Sequence, residues 1–167
     1  INKYIRLKPH VIKKIDEFVK NNFKGYVIGL HIRGRGRKDG GAGKLRKQGK
    51  LIDGVPYNLY FEKLAESLKL HGAAKIFLCS DSQIVIDYCK NIYGTRIVTY
   101  SATRSDGGEM HRDVRFRDMK YKLGEDVLVE AYLLSMTDYL IHGNSNVTNF
   151  VLCKNSKLKN FYIYGDV

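Results

Sequence analysis

Hydrophobic positions along the chain alternate between helical and strand-like spacing. The segment after Pro9 has apolar residues at helical spacing, and the proline in its first turn supports a helix that ends at Gly25. Residues 26–32, which read YVIGLHI, lack that period and predict a short strand buried on both faces. The same reasoning predicts helices at 57–70, 83–92, 125–137 and 145–153, strands at 75–79, 96–100, 139–141 and 161–164, and a polar loop at 101–122.

Five short apolar strands separated by helices call for right-handed crossovers and a parallel sheet covered on both faces. We therefore expect an α/β fold, a Rossmann-like three-layer domain with a mainly parallel sheet. Its two longest connections, 33–56 and 101–122, both follow strands. Ligands of open α/β sheets bind beyond the carboxyl ends of the strands, which makes these connections the first place to look for a site.

The length and composition describe one folded domain spanning residues 1–167. An apolar fraction of 44% and only 2 prolines exclude a disordered tail. No apolar window suits a membrane span, and the N-terminus lacks the apolar core of a signal peptide. The three cysteines form no CxxC pair, and Cys79 and Cys153 have apolar neighbours typical of core positions. We expect a reducing, cytoplasmic setting, or a Golgi or ER lumen if an anchor has been lost.

Positive charge is concentrated after the first predicted strand. The chain carries 29 Lys and Arg against 17 Asp and Glu, a net charge of +12. Between residues 31 and 50 eight basic residues face one acid, Asp39; they are Arg33, Arg35, Arg37, Lys38, Lys44, Arg46, Lys47 and Lys50. This pattern favours a polyanionic or phosphate-bearing partner, with a solvated basic loop as the plain alternative.

The familiar phosphate-loop and metal motifs are absent. A GxGxxG pattern beginning at Gly34 fails at Asp39, and a P-loop ending at Lys44 fails at Lys38 and Leu45. The histidines have no ligand spacing with one another or with cysteine, so no metal is expected. No GxSxG sequence supports nucleophilic hydrolysis.

Polar residues follow four of the predicted strands and should meet at one rim of a parallel sheet. They are His31 and Arg33, then Ser80, Asp81 and Ser82, then Ser101 and Arg104, and finally residues 143–146. Arginine binds phosphate oxygens with two parallel hydrogen bonds, and Ser145 and Asn146 begin a helix whose free N–H groups favour an anion. This combination suits a diphosphate.

Glu130 is the unusual residue of the helix predicted at 125–137. It shares a helical face with Val127 and Leu134, where a carboxylate must be paired or neutral. One interpretation is a boundary residue that pairs with a nearby Arg or Lys. The other is a carboxylate that accepts two N–H bonds from a base such as guanine.

Three blocks of the sequence resemble the GDP-fucose-dependent fucosyltransferases, the group of nodulation, α1,6- and protein O-fucosyltransferases. Ile28-Gly29-Leu30-His31-Ile32-Arg33 is similar to the family's G-h-H-h-R signature, where h is hydrophobic. Residues 77–82, reading FLCSDS, resemble a strand that ends in an acidic Ser/Thr turn, and residues 126–147 resemble the helix–strand–serine block. The resemblance covers about residues 5–165.

This resemblance implies the nucleotide-binding C-terminal half of a two-domain GT-B glycosyltransferase, with the N-terminal acceptor half absent from this chain. It implies GDP-fucose as donor, a glycan or other hydroxyl as acceptor, and inverting, metal-independent transfer without a cofactor. By the same resemblance, Arg33 grips the β-phosphate and is the catalytic residue, His31 and Glu130 approach the guanine, and Ser145 and Asn146 contact phosphate. Asp81 and Ser82 are further donor-binding candidates.

Two other interpretations stay open at this stage. A non-catalytic Rossmann-like module could bind nucleic acid or an anionic glycan through the basic segment, although nucleic acid is the less expected partner. An enzyme using another sugar nucleotide, such as GDP-mannose, would keep the site and change only the sugar pocket. The chain also lacks the loop acid found in many family members, since it reads Arg33-Gly34-Arg35-Gly36-Arg37, so no acceptor base is assigned.

Overall fold

A parallel sheet forms the centre of the fold, as the alternating pattern predicted. The computed structural model describes residues 4–33, 57–105 and 114–163. Within them, five strands form one sheet in the order β3-β2-β1-β4-β5, and every neighbouring pair is parallel. The strands are β1 (Val27–His31), β2 (Lys75–Cys79), β3 (Ile97–Val98), β4 (Tyr139–His142) and β5 (Lys159–Tyr162).

Helices cover both faces of this sheet. They are α1 (Pro9–Asn22), α2 (Tyr57–Leu70), α3 (Gln83–Tyr93), α4 (Lys120–Leu134) and α5 (Asn146–Lys154), together with two short 3-10 helices, Gly94–Arg96 and Val114–Met119. Side chains of α2 and α3 pack with Ile28 and Leu30 of β1 in one buried cluster. Side chains of α1, α4 and α5 pack with Val27 in a second cluster on the opposite face. The expected Rossmann-like three-layer α/β architecture is confirmed.

Gly29, in the middle of β1, allows helix α4 and the turn after it to approach the sheet closely. A Cβ atom at this position would lie 2.8 Å from Thr137 Oγ1 and 3.2 Å from Leu134 Cδ2 and Leu140 Cδ1. Real Cβ atoms avoid a contact as short as the first, so any larger residue must push its neighbours away. The close packing of helix α4 and the following turn against β1 therefore explains why the first sequence block has a glycine at position 29, two residues before His31.

Several predicted boundaries change in the structure. Helix α4 begins at Lys120 and ends at Leu134, so part of the predicted polar loop 101–122 is helical, and Val114–Met119 is 3-10 helix. Strand β3 shortens to two residues, and β5 lies two residues earlier than predicted. A core position is confirmed for Cys79 and is wrong for Cys153, which is exposed near the end of α5.

Two further sequence predictions concern the basic segment and the absence of a membrane span. Residues 34–56, which carry most of the basic segment, lie outside the described residues, as does His111. Among the helices that are described, none combines the length and the apolar character needed to cross a membrane.

The strand order also determines where a crevice opens. The chain runs from β1 to β2 and β3 on one side of the sheet, then crosses back to β4 and β5 on the other side of β1. Helix α2, which follows β1, lies on one face of the sheet, and helix α5, which follows β4, lies on the other. Such a switch point, here between β1 and β4, is where open α/β sheets bind ligands.

Candidate functional site

The ends of β1 and β4 bring two histidines together at the switch point. His31 ends β1 and is in register with Cys79 of β2 on one side and His142 of β4 on the other. Both histidines are buried. His142 Nδ1 lies 3.0 Å from the carbonyl oxygen of Gly143, and its Nε2 lies 3.3 Å from Asn160 Oδ1.

Burial sets the charge state of His31. It lowers the pKa of the imidazole to about 4, and the charges of His142 and Arg33 act in the same direction. At neutral pH the ring is therefore uncharged, with one nitrogen that can donate a hydrogen bond and one that can accept. A neutral ring of this kind suits a polar heterocycle better than it suits a phosphate.

Arg33 lies two residues beyond β1 and is exposed, as the predicted rim position requires. Within residues 4–33, 57–105 and 114–163 its side chain makes no hydrogen bond or ion pair. An exposed guanidinium next to the switch point can bind phosphate oxygens in a two-pronged geometry.

Across the switch point, Ser145 and Asn146 begin helix α5 as predicted. Ser145 is the N-cap and its Oγ accepts a hydrogen bond from the Val147 N–H at 3.2 Å. Asn146 is the first helical residue and is exposed. The Ser145 hydroxyl is thus engaged by the helix itself, and the positive end of the helix dipole points towards the rim.

The residues after β2 form a tight turn that begins helix α3. Ser82 is the N-cap of α3 and is buried, with its Oγ accepting from the Val85 N–H at 3.4 Å. Ser80 Oγ accepts from the Ser82 N–H at 3.2 Å. Asp81 is partly exposed between them, and its carbonyl oxygen accepts from the Ser105 N–H at 3.3 Å. Contact of Asp81 and Ser82 with a donor stays a prediction.

Arg104 connects three elements of the rim, a role the sequence did not reveal. Its side chain is only 7% exposed and donates to the carbonyl oxygens of Ser80 at 3.0 Å, Ala102 at 2.8 Å and Tyr100 at 3.0 Å. The same side chain donates to Glu130 Oε1 on α4 at 2.7 Å. One guanidinium thus joins the end of β2, the loop after β3 and helix α4.

Glu130 therefore has the partner that the ion-pair interpretation required. Its side chain is 13% exposed. Burial raises the pKa of Glu130 to about 8; the Arg104 guanidinium opposes this effect, while the carboxylates of Asp126 and Asp81 add to it. In the described residues Oε2 has no hydrogen-bond partner. The ion pair does not test the guanine-binding role of Glu130, which stays a prediction.

A second carboxylate on α4 fixes the loop that carries Arg104. Asp126 Oδ2 accepts from the Thr103 N–H at 2.9 Å and from Lys122 Nζ at 2.6 Å. Lys122 Nζ also donates to Thr103 Oγ1 at 3.0 Å. The spacing of Lys122 and Asp126, four residues apart, was a signal in the sequence for this pair; the partner in the loop was not.

The described part of the chain shows no group of three or more His, Cys, Asp and Glu side chains placed to hold a metal ion. The expected metal independence is not tested by this observation and stays a prediction.

The five-stranded parallel sheet, the helices on both faces and the polar switch point define a Rossmann-like α/β domain. Comparison with solved structures describes it more closely as a domain of fucosyltransferase-like fold, whose neighbours are GT-B enzymes. No protein-family model matches the chain, and a comparison with curated proteins finds no significant match.

Three solved structures illustrate the similarity. NodZ α-1,6-fucosyltransferase crystallised with GDP has a TM-score of 0.57 at 19% identity, over 89% of this chain and 42% of its own. NodZ from Bradyrhizobium has a TM-score of 0.58 at 18% identity, over 89% of this chain and 43% of its own. POFUT1 in complex with GDP has a TM-score of 0.56 at 14% identity, over 96% of this chain and 48% of its own. The chain thus spans less than half the length of these proteins.

Proposed function

We propose that this domain is the donor-binding half of a GDP-fucose-dependent fucosyltransferase that transfers fucose to a glycan or other hydroxyl acceptor. The observation that carries the proposal is the switch point between β1 and β4, where Arg33 is exposed at one rim of the sheet and helix α5 begins across it. Solved neighbours of the same fold were crystallised with GDP or soaked with GDP-fucose.

The diphosphate of the donor binds between Arg33 and the start of α5. Arg33 supplies a charged fork for phosphate oxygens, and the Asn146 end of α5 supplies free N–H groups and the positive end of the helix dipole. Asp81 and Ser82, at the end of β2, line the donor on the opposite side of β1.

The base of the donor binds on the β2 side, near His31 and Glu130. The neutral imidazole of His31 can form a hydrogen bond with a heterocycle through a ring nitrogen. Glu130, when ionised, accepts from both N1–H and the exocyclic amine of guanine, a pair of donors that adenine does not present on one edge. Its position on α4, next to the end of β2, supports this assignment.

In the reaction, the acceptor oxygen bonds to C1 of fucose while the bond from C1 to the β-phosphate oxygen breaks, which inverts the sugar and releases GDP. Arg33 stabilises the negative charge that grows on the departing diphosphate, where binding that strengthens in the transition state raises the rate. The chain contains no DxD triplet, and in this proposal Arg33 and the start of α5 take the place of a metal ion. The acceptor proton passes to a general base, to which no residue is assigned.

The acceptor half of the enzyme belongs to the remainder of a two-domain protein or to a partner chain. For that reason the proposal is best tested by binding and not by turnover. The alternative of a nucleic-acid-binding module gains no support from the solved neighbours, of which two are described as fucosyltransferases and the third as a complex with GDP.

Calorimetric titration with GDP, UDP and ADP tests the proposal. The parent should prefer GDP, and Arg33→Ala should reduce GDP affinity at least about tenfold, since a hydrogen bond to a charged group contributes about 1.5–3 kcal/mol. Arg96→Ala is the matched control, because Arg96 is exposed but lies before β3, at the opposite edge of the sheet. Unchanged GDP affinity in a folded Arg33→Ala protein, or a parent without preference for GDP, would contradict the proposal.

A further inference from the structure

Arg104 makes more contacts at the rim than any donor-binding candidate discussed above, yet its side chain is almost completely buried. Three of its four hydrogen bonds go to main-chain carbonyl oxygens of two loops, and the fourth goes to the Glu130 carboxylate. A guanidinium held at three fixed points is a rigid platform, so the fourth contact fixes the position of Glu130.

The geometry of this pair leaves Glu130 with two different oxygens. Oε1 accepts from Arg104 Nη2 at 2.7 Å. Oε2 has no hydrogen-bond partner in the described residues, and the side chain retains 13% of its exposure. A buried carboxylate held through Oε1 presents Oε2 and the second lone pair of Oε1 to a ligand in a single orientation, without the loss of rotamer freedom that an unrestrained glutamate would undergo.

We propose that Arg104 is a positioning residue for base recognition: it holds Glu130 by Oε1, so that the carboxylate meets the donor base in the orientation that selects guanine over adenine. This inference rests on the proposed donor-binding function and adds to it the residue that positions Glu130 for base recognition. Arg104 itself touches no ligand in this arrangement.

The charges around Glu130 make the proposed role of Arg104 measurable as a pH dependence of nucleotide binding. Burial holds its pKa at about 8, where Arg104 opposes the rise and the carboxylates of Asp126 and Asp81 reinforce it. Only the ionised form accepts from both N–H groups of guanine. Preference for GDP over ADP should therefore increase as pH rises from about 6 to about 8.5, a range that includes that pKa and ends before the N1–H of guanine ionises. The ratio of the two affinities removes the titration of the diphosphate, because both nucleotides carry it.

The experiment measures GDP and ADP affinity by calorimetry across this pH range in the parent and in three variants. Arg104→Gln should reduce the GDP-over-ADP ratio at neutral pH about tenfold, the effect of one lost charge-assisted hydrogen bond, and should move its rise to higher pH. Arg104→Lys retains the charge without the fork, so its pH profile should move less although the ratio still falls. Glu130→Gln should abolish the pH dependence of the ratio.

Asp126→Asn is the matched control, because Asp126 anchors the same loop through Thr103 but does not touch Glu130. If Arg104 acted only by holding the loop, Asp126→Asn would lower the ratio in the same way. In our proposal, the Asp126→Asn variant still prefers GDP over ADP. Its ratio of GDP to ADP affinity should increase at a lower pH than in the parent, because Asp126 raises the pKa of Glu130. A lowered ratio in Asp126→Asn with the same upward shift would overturn the assignment.

The outcomes separate the two proposals. A parent without GDP preference at any pH contradicts the proposed function, whereas a GDP-selective parent whose ratio and pH profile survive Arg104→Gln contradicts the role of Arg104 alone. Should the Arg104 variants not fold, NMR of the Arg104 guanidinium in the unmutated protein decides. Its signals should titrate with the same midpoint as the GDP-over-ADP ratio and shift on adding GDP more than on adding ADP; signals insensitive to GDP overturn the inference.

Discussion

Replacement of Gly29 by alanine tests why the first sequence block contains a glycine. The new Cβ would lie 2.8 Å from Thr137 Oγ1 and 3.2 Å from side-chain carbons of Leu134 and Leu140. Thr137 cannot move freely, because its Oγ1 donates to the Leu134 carbonyl oxygen at 2.8 Å. The crowding should exceed the gain of about 0.5–1 kcal/mol that alanine brings by restricting the unfolded backbone. Since overpacked cores lose about 1–3 kcal/mol, we expect Gly29→Ala to lower the free energy of unfolding by about 1–2 kcal/mol.

Urea unfolding followed by far-UV circular dichroism measures this loss, and thermal unfolding should show a fall of about 2–4 °C per kcal/mol in a domain of this size. Gly124→Ala is the matched control. A Cβ at Gly124, on helix α4, meets nothing within 4 Å, so this variant should be more stable than the parent by about 0.5–1 kcal/mol.

A double variant identifies the source of the crowding. Thr137→Ala removes the closest atom, so Gly29→Ala should cost about 1 kcal/mol less in that background than alone. Thr137→Ser retains the hydroxyl and should give no such relief. The reasoning is wrong if Gly29→Ala is as stable as the parent, or if its cost is the same in the Thr137→Ala background.

Two further predictions concern charge. His31 has a folded-state pKa of about 4, below the ordinary value of 6.5, so the folded protein should lose stability as pH falls through that interval, by roughly 3 kcal/mol for this group alone. Urea unfolding at pH 7 and pH 4 should show a smaller loss for His31→Gln, and an equal loss would refute the assignment. Neutralising Lys44, Arg46, Lys47 and Lys50 together should reduce GDP affinity only modestly, through attraction that salt already screens. Strong oligonucleotide binding by the parent that is lost in this variant, with no GDP binding by either protein, would instead favour the nucleic-acid module.

Hydrophobic periodicity was sufficient to predict the bounds of an element that has a complete buried face. Helix α2 and strand β2 begin and end at the predicted residues, because the change from period 3.6 to a short apolar run coincides with the change of structure. The parallel order of the strands followed from the helices between them. These are local patterns, and they determine the fold class.

Elements held by polar contacts were predicted less well. The first turn of α4 is exposed and polar. An ion pair of Glu125 with Lys14 and a hydrogen bond of Glu125 with His10, both on α1, fix the helix near this end. Strand β5 begins with the exposed Lys159. The bounds of this strand depend on its pairing with β4 and not on the hydrophobicity of its residues. Neither effect is visible in a hydrophobic pattern.

In the candidate site too, positions set by the strands were predicted well, and positions set by polar contacts were not. Placement of His31, Arg33 and Ser145 at one rim followed from strand ends in a parallel sheet. Glu130 needed a partner because of its apolar surroundings, but its partner Arg104 lies 26 residues earlier in an irregular loop. The path of such a loop depends on hydrogen bonds to distant carbonyl oxygens, which sequence spacing does not encode.

The hydrogen bonds of Arg104 also affect which residues around the rim can be substituted. Its contacts to Ser80, Ala102 and Tyr100 are all with main-chain oxygens, which every amino acid supplies. Substitutions at those three positions leave the acceptors in place, so the surface around the crevice can vary in shape and polarity while its framework persists. A library randomised at Ser101 and Ala102, with Arg104 and Glu130 retained, should therefore yield folded variants whose crevice differs in shape and polarity.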